Sequence, residues 1–204
     1  MTTILLHGLG QGPESWEAVA GKLEGTVLCP DLFAPVRDGE AAYQGIYRAF
    51  AGYCEQLDGP LRLCGLSLGG VLALQYTIEH PERVEALALI GTPLVMPRGL
   101  LTVQNAVFRL LPSRAFQPMG LSKGGVIGLT RSMLDLDFRE DLRSVSCPVL
   151  VLCGERDRAN RKAALELQAG LPQAELAWIP GAGHEVNRDA PEALAERLRR
   201  FFPA

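Results

Sequence analysis

Gly65-Leu66-Ser67-Leu68-Gly69-Gly70 ends an apolar run, Leu61 to Leu66, and opens a segment with Val71, Leu72, Leu74, Gln75 and Ile78 at helical spacing. A serine at such a junction, with glycine two residues to either side, marks a sharp strand-to-helix turn, because strand and helix approach closely only where those neighbours are small. The turn holds Ser67 in a strained backbone conformation and exposes its Oγ at the carboxyl edge of a sheet. The helix amino terminus beyond it favours developing negative charge. The plain alternative is a Gly-rich turn that carries Ser67 incidentally.

Working outward, six short aliphatic runs recur: Thr3 to Leu6, Thr26 to Cys29, Leu61 to Leu66, Ala86 to Ile90, Val149 to Cys153 and Leu176 to Ile179. Most lack polar alternation, which is the pattern of strands covered on both faces. Helical spacing lies between them: Val19 and Leu23 after Ser15-Trp16, Ile46, Phe50 and Tyr53 within Tyr43 to Cys54, and the helix after Ser67, stopped by Pro81 beyond His80. Alternating strand and helix predicts an α/β fold with a parallel sheet. For the last helix, Asp189 and Glu192 have capping-box spacing ahead of the stripe Leu194, Leu198, Phe201 and Phe202. From Thr92 to about Arg143 the rhythm breaks, and about 52 residues separate two strands. A structureless loop of that length is improbable, so a helical insertion over 92–143 is expected, with helices near Leu101 to Leu111 and Gly125 to Leu134. Its apolar residues Val103, Val107, Phe108, Leu110, Val126, Ile127, Leu129, Met133 and Leu134 pack on the main body, and several are candidates to line a pocket.

Composition narrows the function. The chain has 204 residues, 20 Lys+Arg against 23 Asp+Glu and a formal charge of −3, and no linker-like stretch divides it, so one domain over 1–204 is expected. Without a basic cluster, nucleic acid is not an expected partner. Apolar runs of about half a dozen residues fall far short of the ~20 needed to span a bilayer, and no signal sequence is recognisable. Five cysteines, Cys29, Cys54, Cys64, Cys147 and Cys153, include no Cys-x-x-Cys pair and read as buried thiols in a reducing cytoplasm. Gly and Pro together make up about 18% of the residues against a usual ~12%, which predicts many tight turns.

A serine hydroxyl needs a base. Of three histidines, His80 sits at the far end of the helix that Ser67 opens, about 20 Å away, and His7 lies in a Gly-flanked turn after the first strand. His184, in Gly181-Ala182-Gly183-His184-Glu185 after the last strand, can reach back over the sheet edge and is the favoured base. An acid must orient the imidazole. Asp157, in Gly154-Glu155-Arg156-Asp157 beyond Val149 to Cys153, is favoured over its rival Glu155. The backbone N–H groups of Leu9, in His7-Gly8-Leu9-Gly10-Gln11, and of Leu68 are candidates for an oxyanion hole.

These residues resemble the α/β-hydrolase superfamily, in the type of a small serine esterase. The resemblance rests on His7-Gly8 with Trp16, Pro30-Asp31, the Gly65 to Gly70 elbow, Pro81-Glu82-Arg83-Val84, Cys147-Pro148-Val149-Leu150 leading to Gly154-Glu155-Arg156-Asp157, and Gly183-His184-Glu185. The order Ser67, Asp157, His184 is that family's order. Two departures stand out. The family's leading antiparallel strands are missing, which predicts a pruned sheet of about six mostly parallel strands. Pro30-Asp31 continues into Leu32-Phe33-Ala34-Pro35-Val36-Arg37 rather than a Gly-x-Gly-x-Ser run. The insertion resembles a shortened family lid.

What the resemblance implies is a cytoplasmic serine hydrolase that takes a small ester or thioester of an apolar acid, with no cofactor and no metal. The alternatives are a slowly turning ligand-binding or signalling relative, or a lyase or C–C hydrolase using Lys123, Gln104 or Arg131 as extra polar groups.

Overall fold

Both faces of each central apolar run are buried, and the reason is a single sheet with helices on each side. The computed structural model describes residues 1–36, 41–96 and 98–202, without the side chains of 100, 102–104 and 117–119. The strands are β1 (Thr2–Leu6), β2 (Thr26–Leu28), β3 (Leu61–Leu66), β4 (Val84–Ile90), β5 (Val149–Gly154) and β6 (Ala174–Ile179). They lie in the order β2-β1-β3-β4-β5-β6 and each neighbouring pair is parallel. The expected runs become strands within two residues at either end.

The helices are α1 (Glu17–Ala20), α2 (Tyr43–Glu55), α3 (Leu68–Glu79), α4 (Arg98–Leu110), α5 (Lys123–Ser132), α6 (Arg161–Gly170), α7 (Val186–Asp189) and α8 (Pro191–Phe201). Side chains alternate across each strand and feed two cores. Ile4, Leu6, Leu63, Leu89 and Val151 face α2, α3, α6 and the insertion. Leu5, Cys64, Leu66, Ala88, Ile90 and Leu152 face Trp16 and Val19 together with α7 and α8. Each such aliphatic side chain taken fully from water contributes roughly 1.5–3 kcal/mol, so the uninterrupted apolar runs are what a two-sided burial demands.

The strand order reverses between β1 and β3, since the chain first adds β2 on one side and then builds outward on the other. In open α/β sheets the crevice beyond the carboxyl ends at such a reversal is where ligands bind. The loops leaving β1 and β3 there carry Leu9 and Ser67.

The capping box expected at Asp189 and Glu192 does not form. The residue before α8 is Ala190, whose side chain cannot cap, and Pro191 opens the helix. Asp189 instead accepts a hydrogen bond from Gly183 N–H at 2.6 Å, and Glu192 pairs with Lys22 at 2.9 Å.

Between β4 and β5 the insertion is helical, as its length requires. Its neck is closed by an antiparallel bridge between Val95 and Asp137, with Phe138 N–H donating to Leu94 O and Met96 N–H to Leu136 O. Ser122 caps α5 by accepting from Gly125 N–H at 3.0 Å. Ser132 Oγ accepts from Tyr43 N–H at 2.8 Å and ties α5 to α2. A 3-10 stretch, Ser113–Met119, joins the two helices and seats Phe116 edge-on against Phe108 at 5.3 Å. No helix among the described residues is long and apolar enough to cross a membrane.

The five cysteines form no disulfide, and four are buried, with Cys29 partly so. Burial pushes the Cys54 thiol up to about 12 and those of Cys147 and Cys153 up to about 11.

Candidate active site

Steric necessity shapes the turn at Ser67. A Cβ on Gly65 would lie 2.3 Å from the carbonyl of Gly69, and one on Gly69 would lie 2.2 Å from Leu6 O, so β3, α3 and β1 meet only because both positions lack side chains. Ser67 itself has φ 53° and ψ −112°, and no other non-glycine residue among those described has positive φ. This is costly backbone, held because Ser67 N–H donates to Ile90 O at 2.9 Å and α3 begins at the next residue. As the first N–H of that helix, Leu68 N–H has no intrahelical acceptor.

His184 and Asp157 come from neighbouring strand ends. Arg156 N–H donates to Ala182 O at 2.9 Å, joining the turn after β5 to the turn after β6. His184 Nδ1 lies 2.7 Å from Asp157 Oδ2. That bond leaves Nε2 as the ring nitrogen for other work. Burial alone would raise the Asp157 carboxyl; hydrogen bonds from His184 and Asn160 outweigh it and hold the group below its ordinary value. Gly91, at the end of β4, makes room for this pair. It has φ 51°, and a Cβ there would stand 3.0 Å from the His184 ring. The rival Glu155 is turned elsewhere and accepts from Gly181 N–H at 3.1 Å.

Ser67 and His184 line one cavity of about 340 Å³. Leu9, Leu68, Val71, Pro93, Met96, Leu101 and Met133 supply its apolar wall, and Asn160 and Thr130 add polar groups. The structure therefore brings together Ser67, His184, Leu9 and Leu68, with Asp157 behind His184. Among the insertion residues singled out from sequence, Met133 reaches this cavity. Val126 and Leu129 are fully buried in the core instead, and Val107 and Leu110 face outward. The side chains of Val103 and Gln104 lie outside the described residues, as does Arg37. Lys123 Nζ donates to Arg109 O and Leu111 O at the end of α4, and Arg131 borders a separate cleft with Ala41 and Ser122, so neither lines the Ser67 cavity.

His7 is a strut rather than a base. Buried completely, it has Nδ1 3.0 Å from Gly8 O, while Nε2 accepts from Leu32 N–H at 3.1 Å, so the neutral ring pins the β1 turn to the loop after β2. Desolvation lowers its pKa, against smaller raising contributions from Gly8 O and nearby acids. His80 ends α3 and packs on Tyr76 with ring centroids 4.6 Å apart.

Two polar features escaped the sequence. Asn160 precedes α6 yet makes no side-chain cap; its Nδ2 donates to both Asp157 carboxylate oxygens, at 3.0 and 2.9 Å, and lies 3.2 Å from His184 Nδ1. An Asn three residues after a candidate acid, at a helix start, was the available signal. The second is a buried amide pair, Gln11 and Asn187, exchanging two 3.2 Å hydrogen bonds. Gln11 Oε1 also receives Gly8 N–H at 3.4 Å, so the pair couples the Leu9 turn to the segment after His184. Among the described residues no group of three or more His, Cys, Asp or Glu side chains converges as a metal site would.

A six-stranded parallel sheet flanked by helices has counterparts among known proteins. The model of the alpha/beta hydrolase family matches residues 3–197. The chain belongs to the alpha/beta hydrolase family. One curated relative of this hydrolase is a pimeloyl-[acyl-carrier protein] methyl ester esterase of Aromatoleum aromaticum, 28% identical, the match covering 94% of each chain. Among solved structures, the enol-lactonase of Burkholderia xenovorans superposes with a TM-score of 0.86 at 18% identity, over 100% of this chain and 91% of that one. A thermophilic esterase of Thermogutta terrifontis gives 0.81 at 23% identity, over 99% and 89%. At those identities the structural likeness speaks for the fold alone.

Proposed function

We propose that this alpha/beta hydrolase is a serine hydrolase that cleaves carboxylic esters or thioesters of small apolar acids. The observation that carries the reading is the cavity shared by Ser67, on a strained elbow, and His184, whose Nδ1 is held at 2.7 Å by Asp157. Ser67 Oγ attacks the substrate carbonyl and passes its proton to His184 Nε2. The Leu9 and Leu68 N–H groups receive the oxyanion. The tetrahedral species collapses to acyl-Ser67, and His184 gives its proton to the departing alcohol or thiol. Water then attacks the acyl group with His184 again taking the proton, and the acid leaves as Ser67 recovers its hydrogen. Asp157 keeps the imidazole in the required tautomer and stabilises its cation throughout. The 92–143 insertion serves as a lid whose inner wall receives the acyl chain, and the apolar lining near 340 Å³ sits at the small end of ligand pockets, favouring short acids. That the Aromatoleum aromaticum relative is a methyl ester esterase supports the ester class.

The test is a panel of p-nitrophenyl esters and acyl-CoA thioesters of increasing chain length, on wild type and Ser67→Ala. Ser67→Ala is expected to lose several decades of kcat. Activity retained within tenfold overturns the mechanism. A second reading, a slowly turning ligand-binding protein that uses the insertion as a partner surface, draws support from Val107 and Leu110, which are 48% and 86% exposed. Uniformly negligible kcat/KM across the panel would favour it.

A further inference from the structure

Helix α4 carries two apolar faces, one packed on the fold and one turned to solvent. Leu101 and Phe108 face inward, Leu101 to the Ser67 cavity and Phe108 onto Phe116. Val107, Leu110 and Leu111 have the i, i+3, i+4 spacing that groups them on another side of the helix, and they are 48%, 86% and 38% exposed. Ala106, Pro112 and Ala115 beside them are exposed as well. Large apolar side chains clustered on the surface mark a place where something else docks.

Charge says what the partner is. No Asp or Glu occurs between Glu85 and Asp135, while 98–134 holds Arg98, Arg109, Arg114, Lys123 and Arg131. The rest of the chain has 15 Lys+Arg against 23 Asp+Glu, so a net acidic body carries a purely basic helical pair. Three of the five cations flank the ridge. Arg109 adjoins Leu110 and Arg114 follows Leu111 by three residues, both exposed and without a carboxylate partner among the described residues. Lys123 Nζ reaches Arg109 O and Leu111 O at 2.7 and 2.6 Å, which brings a third positive charge to the end of the same helix. A second copy of the chain fits poorly, because a two-fold contact through the ridge would set these cations against their own counterparts. A bilayer with anionic lipid meets both features at once: headgroups take the cations, and the acyl boundary beneath takes aliphatic side chains without a groove of matching shape.

We propose that the α4 ridge, Val107, Leu110 and Leu111 with Arg109, Arg114 and Lys123, is a docking surface for an anionic bilayer. The ridge enters the headgroup region and does not span the membrane. Three aliphatic side chains bury little area and three cations give a salt-sensitive attraction, so docking needs both and is reversible. Leu101 ties the surface to the candidate site: the helix that rests on lipid is also a wall of the Ser67 cavity, which brings that cavity close to where apolar esters partition.

The test is co-sedimentation of the full chain, as Ser67→Ala so that no lipid ester is consumed, with vesicles of phosphatidylcholine alone or with about 40% phosphatidylglycerol. The partition coefficient is expected to be about tenfold or more higher on the anionic vesicles and to fall steeply toward ~0.5 M salt. Adding Val107→Ser/Leu110→Ser should lower it about tenfold, and adding Arg109→Gln/Arg114→Gln by a similar factor. All four side chains are exposed, so the fold is kept, which circular dichroism checks; should the serine pair fold poorly, Leu110→Ser alone is read in the same way. No gain on anionic vesicles overturns the inference, as does binding that survives the serine pair, since charge alone then accounts for it. A lipid-free dimer in sedimentation equilibrium that the serine pair dissolves identifies a second copy as the occupant and overturns it. Binding to soluble poly-glutamate as tight as to the anionic vesicles points to an acidic protein instead and overturns it too. No step of this test needs turnover. A chain that binds vesicles but cleaves no ester refutes the esterase reading alone, and an active esterase that ignores them refutes this inference alone.

Discussion

The loops at the carboxyl edge of the sheet and the helical insertion above them both reach the same cavity, but they are built on opposite principles. The edge loops are held by contacts with no slack: Gly65 and Gly69 leave no room for a Cβ, and hydrogen bonds join the β5 and β6 turns. The insertion is held by amphipathic packing, one end closed by the bridge between Val95 and Asp137, and it leaves Leu110 almost bare. The difference separates two tasks. Rigid edge loops suit groups that must be placed within fractions of an ångström, whereas a packed helical pair can change its lining residues while the sheet stays intact. Substitutions at the edge should therefore lower the rate for every substrate, and those in the insertion should change which substrate is taken.

The harshest test of that contrast is Asp157→Asn. With the carboxylate gone, the tautomer and cation of His184 lose their partner, and kcat should fall by ~10³–10⁴ on all esters alike. A loss confined to some chain lengths would break the division. Gly69→Ala comes next. Its Cβ would meet Leu6 O at 2.2 Å, so the backbone has to move, at a cost of about 3 kcal/mol and a fall of roughly 10 °C in melting temperature by calorimetry. Asn160→Ala removes hydrogen bonds to Asp157 and should lower kcat about tenfold with KM little changed. Met133→Ala, from the insertion, should instead shift the preferred acyl length, moving kcat/KM ratios between neighbouring chain lengths by about tenfold. Leu110→Ser touches neither task and should change stability by less than about 0.5 kcal/mol in urea unfolding.

Acid sharpens the picture of the edge loops. His7 is neutral in the fold with its pKa lowered by burial, so the unfolded chain binds the extra proton first. Stability should decline as pH falls below the ordinary histidine value of 6.5, levelling off below the folded value, and His7→Gln should flatten that slope. Asp157 acts in a separate window. Its lowered carboxyl adds stability above the ordinary 3.8, which disappears as pH drops through the folded value. Urea midpoints across the acid range would show both.

How far the sequence could be read differed between the same two regions. Strands appeared within two residues because two-sided burial forces unbroken apolar runs, and Ser67, Asp157 and His184 stood out because each follows a strand end in a short turn. Asp189 misled: its spacing to Glu192 suits a capping box, but Gly183 N–H, six residues back, claimed the carboxylate. Gln11 with Asn187, 176 residues apart, and Asn105 with Thr130, 25 apart, carry no local pattern at all.

By itself the sequence determined the six-stranded parallel α/β architecture and the tight glycine-flanked turn at Ser67, because burial periodicity and the steric demands of glycine are local properties of the chain. Only the tertiary structure decided that Asn160 turns toward Asp157, that His7 bridges two loops and that the insertion brings Leu101, Thr130 and Met133 to the cavity that Ser67 lines. Those are questions of which distant polar group meets which. They are settled by the packing of whole elements, where a buried donor or acceptor takes whatever partner the fold brings within about 3 Å.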